Sequence, residues 1–319
     1  MFLFKDNFFL NMCQYMLIMF MLVGVNTITW LAMWMAMETM LISFIPLLIK
    51  GKFICDSYSA LKYFIFQCLG STFFILGCLD FFFFEFLILG LLMKLGFFPH
   101  HFWVIAICKH LNWSNFFLLL SIQKILPMYF LVSFFHQFMS SFFFLLFLNS
   151  FVGNLGSFNQ MDLRLLLVFS SMNHMTWMLM ISLMNMIYFY IYLISYILMM
   201  MLLCYYFIYS NIFYLYQLFY MTEMMIKFKT MLLSFLLFSF LGFPPFLGFF
   251  LKFMSILSFN YIYLSFWVFT LLMMNLFLSF SYLRVFFYLF TNFFRSILSF
   301  NSYKVTSFSL VYVVFIFVF

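Results

Sequence analysis

Two short stretches combine a lysine with helix-breaking residues inside otherwise apolar sequence. The first, GLLMKLGFFPHHFW at residues 90–103, carries Lys94 and, five positions later, Pro99. Proline removes a backbone donor, so Pro99 predicts an interruption of the helix. The second, FLGFPPFLGFFLKF at residues 240–253, carries Lys252 behind the helix-breaking residues Gly242, Pro244 and Pro245. Burying a lysine in hydrocarbon costs about 2.5–3.5 kcal/mol on insertion scales, so each lysine needs a partner or a water-filled cavity.

A carboxylate and a third lysine lie equally deep in apolar sequence. Together with Lys94 and Lys252, Glu38 and Lys124 indicate a row of proton-holding sites, one on each of four helices. Burial and a nearby carboxylate act in opposite directions on the affinity of a lysine for its proton. A lysine balanced in this way changes protonation when its partner moves or when water arrives, and interrupted helices provide room for water. The alternative is a set of static ion pairs, although three amines against one carboxylate leave such pairs unbalanced.

Four further titratable side chains within apolar sequence are weaker candidates. Lys62 and Arg284 lie within about two turns of a predicted membrane surface, so they are either interfacial anchors or members of the row. His174 is either a water-bridged link or a structural hydrogen-bond donor. Glu85, nine residues before Lys94, has no role that we can assign from the sequence.

The composition assigns the chain to the membrane proteins. Hydrophobic residues make up 69% of the chain and charged residues 7%, and the mean hydropathy is +1.20. Soluble domains carry about a quarter charged residues, so a soluble globule is excluded. The apolar runs are about 20 residues long and lack strand-like alternation, which predicts spanning helices and not barrel strands. We therefore expect an all-α polytopic membrane protein.

The sequence has no motif for a cofactor, a metal or a nucleic acid. Its six cysteines are scattered without C-x-x-C spacing, which argues against a zinc site or an iron–sulfur cluster. We attribute the 60 Phe and 29 Met to lipid-facing bulk and a bias in the coding genome. No cleavable signal or Arg-rich presequence precedes the first apolar run, so we expect insertion from the side of synthesis.

The hydropathy pattern predicts about eleven spans in a single membrane domain, residues 1–319. The connections are short, and the longest are about 210–229 and 291–304. The predicted spans are about 8–24, 27–49, 58–79, 82–108 (broken), 114–135, 141–158, 161–182, 186–209, 230–259 (broken), 262–290 and 305–319.

The loop charges support this number of spans. If successive spans alternate in direction, nine loop cations fall on one face, and the opposite face has only Asp80 and His136 near its loops. The positive-inside rule assigns the basic face to the compartment of synthesis. We therefore expect the N-terminus inside and the C-terminus outside. The nine cations are Lys5, Lys50, Lys52, Lys109, Arg164, Lys227, Lys229, Arg295 and Lys304.

The positions of the two breaks indicate an inverted repeat. They fall in predicted spans 4 and 9, and this odd offset is what an inverted-topology repeat requires. The repeat would relate two five-helix bundles, about 1–135 and 141–290, followed by a C-terminal helix at about 305–319. Each half has a charged residue in the span after its break, Lys124 in one and Arg284 in the other.

Five blocks resemble, in the same order, the chain 2 family of mitochondrial NADH:ubiquinone oxidoreductase, respiratory complex I. The similarity extends over about Trp30 to Tyr288. The P-x-H-x-W element alone is shared with sister subunits 4 and 5 and with multisubunit cation/proton antiporters, whereas the residues from Asn159 to Met175 favour chain 2. The blocks are KLGFFPHHFWV (94–104), SIQKILPM (121–128), GNLGSFNQMDLRLLLVFSSMNHMTWM (153–178), LGFPPFLGFFLKF (241–253) and NLFLSFSYLRVFFY (275–288).

The resemblance implies a fold, partners and a location. The fold is the shortened animal form of about eleven spans, with paired inverted five-helix bundles that each contain a discontinuous helix. The role is that of one antiporter-like proton-pumping unit in the membrane arm, beside chain 4, chain 4L, accessory subunits and lipids. NADH, FMN, iron–sulfur clusters and ubiquinone are expected in other subunits. The location is the mitochondrial inner membrane, with the N-terminus in the matrix and the C-terminus in the intermembrane space.

The resemblance also implies roles for five residues. Glu38, Lys94, Lys124 and Lys252 match the proton-translocation chain of the family, and His174 matches a histidine that is a possible relay. Two positions depart from the family pattern. Ile105 replaces a common proline, so the second part of span 4 would be less bent, and Leu165 replaces a common lysine.

Two other functions remain open from the sequence. One is a free-standing cation/proton antiporter, which would be found outside a large assembly. The other is a non-conducting structural subunit, which predicts that Lys94, Lys124 and Lys252 are each closed off by a permanent carboxylate or carbonyl partner in dry spans.

Overall fold

A computed structural model describes most of the chain. It covers residues 2–27, 29–49, 54–79, 84–134, 139–183, 185–219, 226–244, 246–258 and 262–300. Pro245 and the predicted last span at 305–319 lie outside these residues, so the eleventh span stays a prediction. Within the described residues the chain is helical throughout, apart from its connections and one isolated antiparallel bridge between Asp162 and Tyr214.

The described residues form fourteen α-helices and one π-helical turn at Leu118–Ile122. The first ten predicted spans each coincide with a helix or with two consecutive helices. The helices are α1 Phe2–Asn26, α2 Trp30–Leu48, α3 Ile54–Leu79, α4 Phe84–Leu95, α5 Phe102–Cys108, α6 Trp113–Phe117, α7 Gln123–Phe134, α8 Met139–Ser157, α9 Leu163–Ser182, α10 Met186–Ser210, α11 Leu215–Phe219, α12 Ile226–Leu241, α13 Leu247–Ser258 and α14 Ile262–Phe300.

In the part of the chain that the structure describes, seven helical stretches are long and apolar enough to cross a membrane without interruption. Helices dominate because, in lipid, every backbone donor and acceptor must be satisfied within the segment. The predicted all-α polytopic fold is thereby confirmed. The seven are Phe8–Asn26, Trp30–Leu48, Asp56–Leu79, Trp113–Ser133, Leu163–Ser182, Met186–Ser210 and Phe266–Leu289.

The first predicted break is confirmed between α4 and α5, but it begins at Gly96 and not at Pro99. Gly96 has a φ of +73°, a conformation in which a side chain is strained. The amide of Phe97 donates to the Leu92 carbonyl at 3.0 Å, and that of Gly96 donates to the Met93 carbonyl at 3.2 Å. These two bonds form a Schellman motif, which closes α4 three residues before the proline.

The second predicted break, between α12 and α13, ends its first helix in a similar way. Gly242 has a φ of +82°, and the amides of Gly242 and Phe243 both donate to the Phe238 carbonyl. Pro244 follows this turn on the exposed side. Both breaks therefore depend on a glycine in the left-handed conformation, with proline beyond it.

Helix α9 is the centre of the fold. All twenty of its residues are buried, and it contacts α5, α7, α8, α10 and α13. It is also rich in polar residues for so buried a helix: Arg164, Ser170, Ser171, Asn173, His174, Thr176 and Ser182. Buried polar groups need hydrogen-bond partners, so α9 offers bonding sites to the helices around it.

Three details of the predicted connections are corrected. The connection at about 210–229 is not entirely loop, because it contains the short helix α11. Most of the connection at about 291–304 is not loop either, because α14 continues to Phe300. Arg164 is not an exposed loop cation, because it lies in the first turn of α9 and is buried. Its Nη1 donates to the Leu111 carbonyl at 2.8 Å, and its guanidinium stacks over the Phe213 ring.

Candidate functional site

The three deep lysines are inside the protein and do not face the surrounding lipid. Lys94, Lys124 and Lys252 are each 7% exposed, and they lie on α4, α7 and α13. Each amine makes a polar contact within the chain, as the cost of burying an ammonium requires. The partners differ in chemistry: a carboxylate, a hydroxyl and a backbone carbonyl.

Lys94 forms the predicted pair with Glu38. The Lys94 Nζ lies 3.1 Å from Glu38 Oε1, with side-chain exposures of 3% and 20% respectively. The glutamate on α2 is therefore at the edge of this chain, while the lysine is enclosed. Gly70 on α3 makes room for the lysine stem, because a Cβ there would lie 2.8 Å from Lys94 Cγ.

The carbonyls at the end of α4 are satisfied by neutral side chains. The Trp103 indole donates to the Met93 carbonyl at 3.1 Å, and the Gln67 amide donates to the Lys94 carbonyl at 3.2 Å. The Lys94 amine is not used for this purpose. It therefore interacts with Glu38 and does not stabilise the end of α4.

A cavity of about 30 Å³ lies between Lys94 and Lys124. Its polar lining comes from these two lysines and from Tyr63, Gln67 and Gln123. A site that holds a water needs at least about 10–15 Å³ and two or more polar partners, and this cavity meets both conditions. Water here would connect the two amines.

Lys124 lies two residues beyond the π-helical turn. Its Nζ donates to the Ser171 hydroxyl on α9 at 3.0 Å, and that hydroxyl donates to the Val168 carbonyl at 2.6 Å. Neither Ser171 nor the π turn was predicted as part of the site. A serine in the middle of an apolar helix is a signal for the first, whereas the sequence offers no clear signal for the second.

His174 lies between the second and third lysines. Its Nδ1 shares a hydrogen bond of 2.9 Å with the Tyr192 hydroxyl, and the imidazole interacts electrostatically with both Lys252 and Lys124. The rings of Tyr196 and Phe240 pack against it at centroid distances of 5.5 and 4.3 Å. The position fits a relay, and the Tyr192 bond also fits the structural role that the sequence left open.

Lys252 interacts with the backbone of the second break. Its Nζ donates to the Leu241 carbonyl at 2.6 Å, and the amine lies 6.0 Å from the centre of the Trp177 ring. Leu241 is the last residue of α12, so this carbonyl is one that the helix end leaves without an intrahelical donor. The lysine therefore supplies the hydrogen bond that the end of α12 lacks.

Asn149 on α8 connects the first break to α9, a role that was not predicted. It is fully buried, its Oδ1 accepts from the Phe98 amide at 3.0 Å, and its Nδ2 donates to the Met172 carbonyl at 3.1 Å. Met172 follows Ser171, the partner of Lys124. A buried asparagine in an apolar helix was the signal available in the sequence.

Of the four weaker candidates, His174 lies in the row, whereas Lys62, Glu85 and Arg284 have other surroundings. Lys62 packs over the ring of Tyr58 on its own helix, and Glu85 is exposed in the first turn of α4. Arg284 does not simply reach the surface, because its Nη2 donates to the Gln160 carbonyl at 2.8 Å. Among the described residues, no three His, Cys, Asp or Glu side chains group in a way that could hold a metal ion.

The chain is similar to known proteins in sequence and in fold. A sequence profile of the NADH:quinone oxidoreductase/Mrp antiporter transmembrane family matches residues 79–280. NADH-ubiquinone oxidoreductase chain 2 of Artemia franciscana is 35% identical over 232 residues, which cover 73% of this chain and 74% of that protein. This chain belongs to the chain 2 family. The counterpart from Anopheles gambiae is also 35% identical, over 77% of this chain and 75% of its own length.

A solved structure has the same fold as this chain 2 family member. A chain of respiratory complex I from Thermus thermophilus superposes with a TM-score of 0.79 at 20% identity, over 88% of this chain and 70% of that chain. The antiporter-like architecture expected from the resemblance is thereby confirmed, while the division into halves at 1–135 and 141–290 stays a prediction.

Proposed function

We propose that this chain is an antiporter-like, proton-translocating subunit in the membrane arm of respiratory complex I. Its family, its fold and its buried lysines support this role together. The single observation that carries the proposal is the enclosed series of Glu38, Lys94, Lys124 and Lys252, linked by a cavity, a serine and a histidine. We infer that the chain lies in the mitochondrial inner membrane, with its N-terminus in the matrix and its C-terminus in the intermembrane space.

The redox reaction takes place, in this proposal, in other subunits. NADH, FMN, iron–sulfur clusters and ubiquinone would be bound there, and this chain would bind no cofactor. The redox reaction would act on this chain through a change in charge or hydration beside Glu38. Glu38 is suited to receive it, because its side chain is 20% exposed at the edge of the chain. A carboxylate at this depth cannot face lipid, so a neighbouring subunit such as chain 4L or chain 4 would cover it.

Proton movement then follows the order of the contacts. A change at Glu38 alters the affinity of Lys94 for its proton, because the two groups are 3.1 Å apart. The proton crosses the cavity to Lys124, whose amine bonds Ser171 on α9. It continues past His174 to Lys252 and leaves from there.

The non-conducting alternative accounts for part of the geometry. Lys94 and Lys252 do have the carboxylate and carbonyl partners that it predicts. It accounts less well for Lys124, whose partner is a neutral hydroxyl and which borders the cavity. A hydroxyl oxygen accepts a hydrogen bond from a charged or a neutral amine, whereas a carboxylate partner favours the charged form. This exchangeable partner favours the conducting role.

Replacement of Lys94 by methionine tests the proposal. Methionine keeps most of the side-chain length and removes the titratable amine, so coupled proton transport should fall severalfold while the complex still assembles. Protons moved per NADH oxidised would be measured in vesicles that contain the purified complex. Lys62→Met is the matched control, because Lys62 lies off the row. A normal proton ratio in Lys94→Met would overturn the assignment.

A further inference from the structure

Tyr196 on α10 contacts several parts of the site but carries none of the roles assigned above. It is 3% exposed, and its hydroxyl donates to the Leu120 carbonyl at 3.1 Å. One phenol therefore donates directly to the π turn that precedes Lys124.

The π turn explains how this contact arises. Leu120 is at the middle of Leu118–Ile122, where the helix departs from the regular i→i+4 bonding pattern. A wider turn lets a carbonyl accept a donor from a neighbouring helix. The Tyr196 hydroxyl is such a donor, so it stabilises the local geometry only four residues before Lys124.

The ring of Tyr196 contacts residues that lie further along the row, towards Lys252. It packs against His174 at a centroid distance of 5.5 Å and against Phe240 at 6.0 Å. Phe240 immediately precedes Leu241, whose carbonyl accepts from Lys252. Tyr196 is thus placed between the segment that carries Lys124 and the break that Lys252 completes.

We propose that Tyr196 is a positioning residue for proton transfer from Lys124 to Lys252. Its hydroxyl holds the Leu120 carbonyl of the π turn, so that the Lys124 amine, four residues later, keeps Ser171 as its partner and remains near His174. The hydroxyl acts through Lys124 and does not itself give up a proton, because its hydrogen is directed to the Leu120 carbonyl. This inference rests on the proposed function of the lysine row.

Tyr196→Phe tests the proposal because it removes only the hydroxyl and keeps the ring. Protons moved per NADH would be measured in vesicles that contain the assembled complex, with Lys124→Met as the reference for loss of this unit. We expect Tyr196→Phe to cause at least half of the shortfall that Lys124→Met causes. Tyr206→Phe is the matched control on the same helix, since its buried hydroxyl makes no hydrogen bond among the described residues. It should leave the proton ratio unchanged.

A double-variant comparison separates positioning from simple packing. Ser171→Ala removes the hydroxyl that accepts from the Lys124 amine, so it should cause a similar shortfall, and Tyr196→Phe with Ser171→Ala should cause no more than either alone. Additive shortfalls would overturn the proposal, because they would mean that the two hydroxyls act independently.

The outcomes also distinguish this inference from the function on which it rests. A normal ratio in Tyr196→Phe together with a lowered ratio in Lys124→Met would overturn the role of Tyr196 alone. A normal ratio in Lys124→Met would overturn the proposed function as well.

Discussion

The two interrupted helices end in the same backbone turn, but different kinds of side chain bond the carbonyls at the helix end. In both, a glycine with positive φ closes the first helix. At the first break, the carbonyls of Met93 and Lys94 accept from the neutral side chains of Trp103 and Gln67, and that of Met93 also accepts from the Gly96 amide. At the second break, the Leu241 carbonyl is satisfied by the amine of Lys252. The first break is therefore held by groups that do not titrate, and the second by a group that does.

This difference gives the two lysines different mechanical consequences. Hydrogen bonds from a charged donor are roughly twice as strong as those between neutral groups. When Lys252 gives up its proton, its bond to the Leu241 carbonyl weakens, so the second break loosens. When Lys94 gives up its proton, the interaction with Glu38 changes but the first break keeps its anchors.

The strongest test of this comparison is Lys252→Met beside Lys94→Met. Both should lower protons moved per NADH severalfold. Lys252→Met should also destabilise the second break by about 1.5–3 kcal/mol, because it removes a charged donor from a buried carbonyl. Hydrogen exchange of the backbone at residues 238–246 would report this loosening. Lys94→Met should leave exchange at residues 92–101 unchanged, and faster exchange there would contradict the comparison.

Asn149→Leu should affect the first break instead. Leucine leaves the Phe98 amide and the Met172 carbonyl without a partner, at a cost of about 1–3 kcal/mol. Hydrogen exchange should become faster at residues 96–101 and remain unchanged at the second break. Ser150→Ala is the matched control, because the Ser150 hydroxyl bonds only within its own helix turn. Equal effects of the two variants would show that Asn149 is not an anchor.

The smallest expected difference is between alanine substitutions at the two glycines. Both residues have positive φ, so alanine costs about 1–2 kcal/mol at either position. At Gly96 the new Cβ would also overlap Cγ2 of the buried Val104, whereas at Gly242 it would lie 3.0 Å from the Gly248 backbone, a tight contact without overlap. Valine is β-branched and cannot easily turn away, so Gly96→Ala should cost about 1 kcal/mol more. Thermal unfolding of the assembled complex would measure the order of the two, and the reverse order would contradict it.

Much of the fold and the ends of the lysine row could be predicted from the sequence. Spans follow from hydropathy, because lipid requires continuous apolar helices. Glu38 and Lys94 stand out because charge is rare in such sequence. Pro99 gave the correct region for the first break, but the helix already ends at Gly96, because a left-handed glycine closes a helix without any proline.

The parts that escaped prediction depend on contacts between distant segments. Asn149 bonds a residue 51 positions earlier, and Lys124 bonds a residue 47 positions later. Local sequence does not encode which helices will be neighbours, so these partners become visible only after packing. The π turn at Leu118–Ile122 also depends on a distant segment. Its Leu120 carbonyl accepts a hydrogen bond from Tyr196, which lies 76 residues later in the chain.

Helix α9 has a further consequence through its complete enclosure. Every one of its twenty residues is surrounded by other helices. A rod packed on all sides cannot tilt, slide or rotate without disturbing every neighbour at once, and tight packing makes that costly. Rearrangement during turnover should therefore be concentrated in the outer helices, while α9 keeps its position.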